Sequence, residues 1–217
     1  MFDFHRHFTN ADTLDNAFYA TISIEQWNKS AKFMSYGILA NNINIDVKEF
    51  ETLLESELNK NKAAHIGEIA LDKRFTNIEE QISFFETSLS LTYKYNRILT
   101  IHIVNCNTLL IDLLNQNKNR LPSTIIYHGF NKSVELARQL QQFNVIPSIN
   151  PTVMKSKLIK DIKQLDKIGF LLESDWDKES DDNYSDYFES FVNDIEAMGA
   201  YNFKEKNNEF RSILENF

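Results

Sequence analysis

Cysteine is almost missing. Cys106 stands alone among 217 residues, so no internal disulfide can form and a reducing cytoplasm is the expected compartment. Positive charge is short as well: 23 Lys and Arg against 31 Asp and Glu leave a formal net charge of −8. Such a chain does not grip nucleic acid by bulk charge, although a local basic or metal-lined pocket stays open to it. Long apolar runs are lacking. The longest, Ile98 to Leu114, is broken by His102, Asn105 and Asn107, which excludes a simple membrane span, so no membrane partner is expected. The first residues show no basic stretch followed by an apolar run, and no signal peptide is expected. No Gly-rich phosphate loop follows any strand-like segment, which weakens a dinucleotide-binding reading. Internal repeats and low-complexity segments are absent, and the acidic, polar Ser180–Ser185 reads as a solvated loop.

What is present is a regular alternation. With 42% apolar residues, residues 1–217 have enough core material for one domain. Asp3–Phe8 reads as a first strand, Asn16–Ile24 as a second and Lys32–Ala40 as a third, with no more than a turn or two of helix between the last two. Asp46 is a plausible N-cap for a helix to about Asn59. Strands then follow at Ala63–Leu71, Arg97–Val104, Pro122–Gly129, Phe143–Ile149 and Lys167–Glu173. Helices at Asn77–Tyr95, Asn107–Gln116, Ser133–Gln142 and Thr152–Gln164 alternate with them, and two more, near Asp182–Met198 and Phe203–Leu214, close the chain. Strand–helix alternation predicts a parallel sheet with right-handed crossovers. Eight strands favour a (β/α)8 TIM barrel, abbreviated near the first strands and extended by C-terminal helices.

Asp3-Phe4-His5-Arg6-His7-Phe8 organises the chemistry. Strict strand alternation puts Asp3, His5 and His7 on one face and Phe2, Phe4 and Phe8 on the other. Glu68, His102, His128 and Asp175 also fall at or just past the ends of expected strands. In a barrel, the C-terminal ends of the strands build the active site. Four imidazoles and two carboxylates meeting there form a ligand set for Zn, Mn or a similar divalent cation. Each alone has an ordinary structural reading: a hydrogen-bonded core histidine, an ion-paired barrel carboxylate for Glu68, a helix cap for Asp175. His65, near the start of its strand, is given that reading and no role.

The same motifs resemble the TatD family of metal-dependent hydrolases, commonly described as deoxyribonucleases. Asp3-Phe4-His5-Arg6-His7 is similar to the family's D-x-H-x-H. Gly67-Glu68-Ile69-Ala70-Leu71-Asp72 is similar to its G-E-I-G-L-D, and Gln81, Phe85 and Ile101-His102 to its Q-x-x-x-F and I-H. His128-Gly129-Phe130 with Ser133, and Glu173-Ser174-Asp175, follow in the family's order. The resemblance implies two divalent metal ions, one on His5, His7 and Asp175, one on His102 and His128, with Glu68 between them. It implies a catalytic role for Glu68 and Asp175, the latter as general base, and hydrolysis of a small phosphoester or a DNA end. Departures accompany the matches. Leu39 stands where the family carries His, Val104 where it carries Arg, and Trp176-Asp177 where it carries small residues and Pro. They imply weakened DNA contacts and leave the substrate contacts unassigned. Lys73 and Arg74 are either replacement phosphate contacts or surface charges. The other function class is a degenerate metal-binding barrel with a non-catalytic, partner-binding role. The oligomeric state is left open by the sequence, which is compatible with a monomer.

Overall fold

A computed structural model describes residues 1–217. Eight parallel strands lie side by side in chain order: β1 (Asp3–His7), β2 (Ala17–Ala20), β3 (Met34–Ile38), β4 (His65–Asp72), β5 (Leu99–Val104), β6 (Ile125–His128), β7 (Val145–Ile149) and β8 (Leu171–Leu172). The sheet comes round on itself just past β8, where Asp175 N–H donates to the His5 carbonyl at 3.0 Å and His7 N–H to the Trp176 carbonyl at 2.9 Å. This is the (β/α)8 barrel the alternation predicts.

The helices are α1 (Val47–Lys60), α2 (Ile78–Tyr95), α3 (Asn107–Gln116), α4 (Val134–Gln141), α5 (Ile162–Ile168), α6 (Tyr184–Ala197) and α7 (Phe203–Leu214). Asp46 caps α1 by accepting from Lys48 N and Glu49 N, both at 2.9 Å, which satisfies two of the orphan amides of the first turn. No helix separates β1 from β2, and only a 3-10 turn, Ile24–Gln26, separates β2 from β3. Arg6 and α6 serve that bare flank. The fully buried Arg6 guanidinium lies 4.1 Å from the Tyr184 ring and 5.1 Å from the Tyr19 ring, paired with Asp181. One cation thus ties β1 to β2, to α6 and to the segment after β8.

Two expected elements are corrected. Thr152–Gln164 is not one helix: two 3-10 turns, Pro151–Lys155 and Lys157–Asp161, come first, and α5 starts only at Ile162. Ser156 between them is extended, with φ −92° and ψ 165°, so the i→i−4 ladder cannot run through. The last strand is not Lys167–Glu173, because Lys167 and Ile168 belong to α5 and only Leu171–Leu172 pair with β7. Gly169, at φ +94°, stops that helix in a conformation that favours glycine.

The N-terminal mouth of the barrel is closed by α7. Its Phe210 and Leu214 pack with Phe2, Phe33 and Ile98, each one residue before a strand begins. The opposite mouth is therefore the one left for chemistry.

Candidate metal centre at the C-terminal mouth

Two irregularities in the sheet aim the site. Between β1 and β2, Asp3 pairs with Ala17 but Arg6 with Tyr19, so β1 carries an extra residue around His5. Between β3 and β4, Tyr36 pairs with Ile66 but Ile38 with Ile69; between β4 and β5, Ile66 pairs with Leu99 but Ile69 with Ile101. Strand β4 thus carries an extra residue around Glu68. Such bulges bend a strand locally and re-aim a side chain. Gly67 makes the second one possible: its φ is +132°, and a Cβ there would lie 2.5 Å from the Thr100 carbonyl oxygen. The first bulge overturns strict alternation in β1. Asp3 leaves the histidine face, and its carboxylate accepts instead from Ser174 N and Tyr184 Oη, both at 2.8 Å, and from His5 N at 3.2 Å. Burial pushes its pKa up to about 6 against those hydrogen bonds. Phe2 and Phe4 stay together at 4.8 Å between rings, whereas Phe8 packs on Tyr19.

The other five residues singled out from the sequence lie around Glu68. His5 Nε2 is 3.3 Å from Glu68 Oε2, and His128 Nε2 is 3.7 Å from Glu68 Oε1 and 3.6 Å from Asp175 Oδ1. His7 Nε2 is 3.4 Å from Asp175 Oδ1. Donor atoms of two trios, His5–Glu68–His128 and His5–His7–Asp175, all lie within 4.8 Å of one another, and His5 belongs to both. His102 differs. Its Nδ1 approaches Glu68 Oε1 to 2.6 Å, a hydrogen-bond distance, and its Nε2 faces Asp72 at 3.9 Å. It joins neither trio.

The residues fit a divalent cation. Ligand bonds of about 2.0–2.2 Å at tetrahedral angles set neighbouring donors about 3.3–3.6 Å apart. The 3.3, 3.4 and 3.6 Å separations fall at that spacing, and the 3.7 Å one just beyond it. Both ring nitrogens of His5 are buried with no hydrogen-bond partner, a costly state for an imidazole that is not a ligand.

Electrostatics agree. Burial opposes the Glu68 carboxylate, yet the His128 charge, the close approach of His102 and the neighbouring His5 imidazole outweigh it and hold Glu68 well below the usual range. Asp175 is likewise held low against burial, chiefly by His128 and His7. His128 is pushed well above its ordinary value: burial opposes this, but Glu173, Asp175 and Glu68 surround it. His5 moves the other way, through burial and then the neighbouring His128 charge. A field that holds a proton on His128 also favours a metal cation, which must displace that proton to bind.

Three supporting residues carried no role in the sequence reading. Glu173 was visible as part of a motif but not as a positioner. It is fully buried, accepts from Gly129 N at 2.7 Å and lies 2.8 Å from His128 Nδ1, so it sets that ring. Asn150 donates to Asp175 Oδ2 at 3.2 Å and to Glu173 at 3.4 Å; its place just past β7 was the available signal. Gln81 of α2 accepts from Asp72 N at 2.6 Å and donates to the Asp72 carbonyl at 3.2 Å, which pins the end of β4. His65 has the structural role expected of it: Nδ1 accepts from Ile98 N at 3.2 Å. A groove of about 410 Å³ opens over the outer side of the cluster, with His102, His128, Asp175 and Val104 in its walls.

A family model described as "TatD related DNase" matches residues 2–216. The chain belongs to that family. Among solved structures it resembles YjjV, a TatD homologue from Escherichia coli K12, with TM-score 0.62 and 20% identity over 73% of this chain and 66% of that one. It also resembles a TatD-family hydrolase from Entamoeba histolytica, with TM-score 0.58 and 18% identity over 76% and 63% of the two chains. An uncharacterised amidohydrolase from Saccharomyces cerevisiae gives TM-score 0.52 and 15% identity over 82% and 70%. The chain thus spans just under two thirds of the first two structures. A comparison with curated proteins gave no significant match. No helix is long and apolar enough to cross a membrane.

Proposed function

We propose that the protein is a divalent-metal-dependent hydrolase that cleaves phosphoester bonds, with two ions held by His5, His7, Glu68, His102, His128 and Asp175. The observation that carries this reading is the pair of donor trios sharing His5, at the spacing of tetrahedral metal ligands. His5, His7 and Asp175 would hold one ion and His128 the other, with Glu68 between them. His102 would join after its hydrogen bond to Glu68 opens. Bound divalent ions supply Lewis acidity: they generate a nucleophile from water near neutral pH and polarise the phosphoryl oxygen.

The chain's own groups do the rest. Asp175 faces the groove, stays ionised at neutral pH and would accept the proton, while Asn150 steadies Oδ2. Glu173 keeps the His128 ring oriented. Low pKa of Glu68 keeps a full negative charge between the imidazoles. Zn, Mn and Mg all suit a mixed imidazole–carboxylate set to different degrees, with Zn and Mn favoured by the nitrogen donors. The lone, buried Cys106 suits a cytoplasmic location.

DNA would be a weak substrate. Leu39 follows β3 and Val104 ends β5 beside His102, so neither place supplies a phosphate contact. The test is a screen of the metal-loaded protein against a generic phosphodiester, single-stranded DNA and carboxylic esters. The reading expects phosphodiester turnover exceeding DNA turnover in kcat/KM. Absence of turnover on every phosphoester, with metal bound, would overturn it.

A further inference from the structure

Cationic groups around the groove are few. Among the residues that line it, Arg74 and Lys132 are the only arginine or lysine, and their situations differ. Arg74 is committed: Nε donates to both Asp72 oxygens at 3.0 Å, Nη2 to Oδ2 at 2.6 Å, and its backbone N–H to Oδ1 at 2.9 Å. A guanidinium gripped in this bidentate way has its charge cancelled locally. Lys132 has no ion-pair partner and is half-buried, in the short link between β6 and α4 four residues after His128. A groove-wall lysine without a counter-ion is a place for an anion from outside. Lys73, the other cation next to the Glu68 motif, is exposed and does not line the groove.

The groove is also small. At about 410 Å³ it lies near the lower end of ligand-site volumes, roughly 300–1,000 Å³. A polynucleotide needs a track of contacts along successive phosphates, whereas this wall offers one uncommitted charge next to the imidazoles.

We propose that Lys132 forms a single-anion subsite, which makes the substrate a small phosphoester of mononucleotide size, anchored by one phosphate-type oxyanion, rather than a DNA strand. This rests on the reading of the site as a phosphoester hydrolase. It assigns Lys132 to substrate binding and Arg74 to holding the end of β4.

The experiment uses the metal-loaded, full-length protein and the variants Lys132→Gln and Lys73→Gln. Two readouts are taken: steady-state kinetics on thymidine 5′-p-nitrophenyl phosphate and on single-stranded oligonucleotides of increasing length, and calorimetric titration with inorganic phosphate. A charge-assisted contact of about 1.5–3 kcal/mol corresponds to about 10- to 100-fold. Lys132→Gln should therefore raise KM for the small ester and weaken phosphate binding by about that factor, with kcat little changed. Lys73→Gln should leave both within about twofold, as surface substitutions do. Oligonucleotide kcat/KM should not rise with length. Equal phosphate binding by wild type and Lys132→Gln would overturn the subsite, as would a steady rise of kcat/KM with oligonucleotide length. If no ester is turned over but phosphate binding still depends on Lys132, the subsite stands and the hydrolase reading fails.

Discussion

His5 and His65 are both buried imidazoles on barrel strands, yet they are opposites. His5 sits near the C-terminal end of β1 among Glu68, His7 and His128, with neither nitrogen hydrogen-bonded. His65 opens β4 at the other mouth, between the Phe18 and Phe217 rings, with Nδ1 satisfied by the Ile98 amide. Residue type is the same; height on the strand decides the role. At the N-terminal mouth the chain covers its histidine with the Phe18 and Phe217 rings and keeps it neutral. At the C-terminal mouth it bulges two strands to bring donors together and leaves a groove above them.

Breaking the upper mouth should leave the lower one standing. Asp175→Asn would remove the proton acceptor proposed above and weaken one trio, and should lower kcat by about 10²- to 10⁴-fold with the thermal transition little changed. An Asp175→Asn protein with near-normal turnover would remove Asp175 from the mechanism. The converse change is Phe210→Ala, which empties the plug under the barrel. A buried Phe→Ala typically costs about 3–5 kcal/mol, so denaturant unfolding should shift by that amount, while metal content of the remaining folded protein stays the same. Loss of metal with little loss of stability would mean that α7 supports the site rather than the core.

A smaller effect separates the two histidines by pH. Burial, and then the Arg97 charge, lower the His65 pKa to about 3, while the unfolded value is about 6.5. Below 6.5 the unfolded chain binds a proton that the folded one refuses, so this contribution is complete above pH 6.5 and is lost as pH falls toward 3. The loss is about 1.4 kcal/mol per pH unit, or about 2 kcal/mol by pH 5. His65→Gln, whose amide oxygen can still accept from Ile98 N, should flatten the stability–pH slope by one proton. An unchanged slope would show that His65 does not stay neutral.

Much of this was legible in the sequence, for reasons that differ by residue. The spans of α3 and α7 were readable to the residue, because amphipathic spacing runs unbroken through 107–116 and 203–214. Asp46 was readable as a cap because an Asx cap acts within three residues. That His5, His7, Glu68, His102, His128 and Asp175 would gather at one mouth was readable because barrels gather strand ends, and the family motifs marked which ends. What could not be read was set across the barrel. The bulges at His5 and Glu68 depend on the register of neighbouring strands, which no local alternation records. Glu173 and Asn150 act through partners 44 and 25 residues away in sequence. The 3-10 turns after β7 and the shortness of β8 arise from Ser156 and Gly169 backbone angles that periodicity does not report. Lys132 stood out only once Arg74 was seen to be engaged by Asp72.

The central claim is that the upper histidines are metal ligands and the lower one is not. Elemental analysis of protein purified without chelator tests it most directly, on wild type, on His5→Ala/His7→Ala and on His65→Gln, each checked for folding by circular dichroism. The account predicts two divalent ions per chain in wild type and in His65→Gln, and the loss of at least one in the folded double variant. Full stoichiometry in His5→Ala/His7→Ala, or a wild type that takes up no divalent ion when supplied with Zn or Mn, would contradict it.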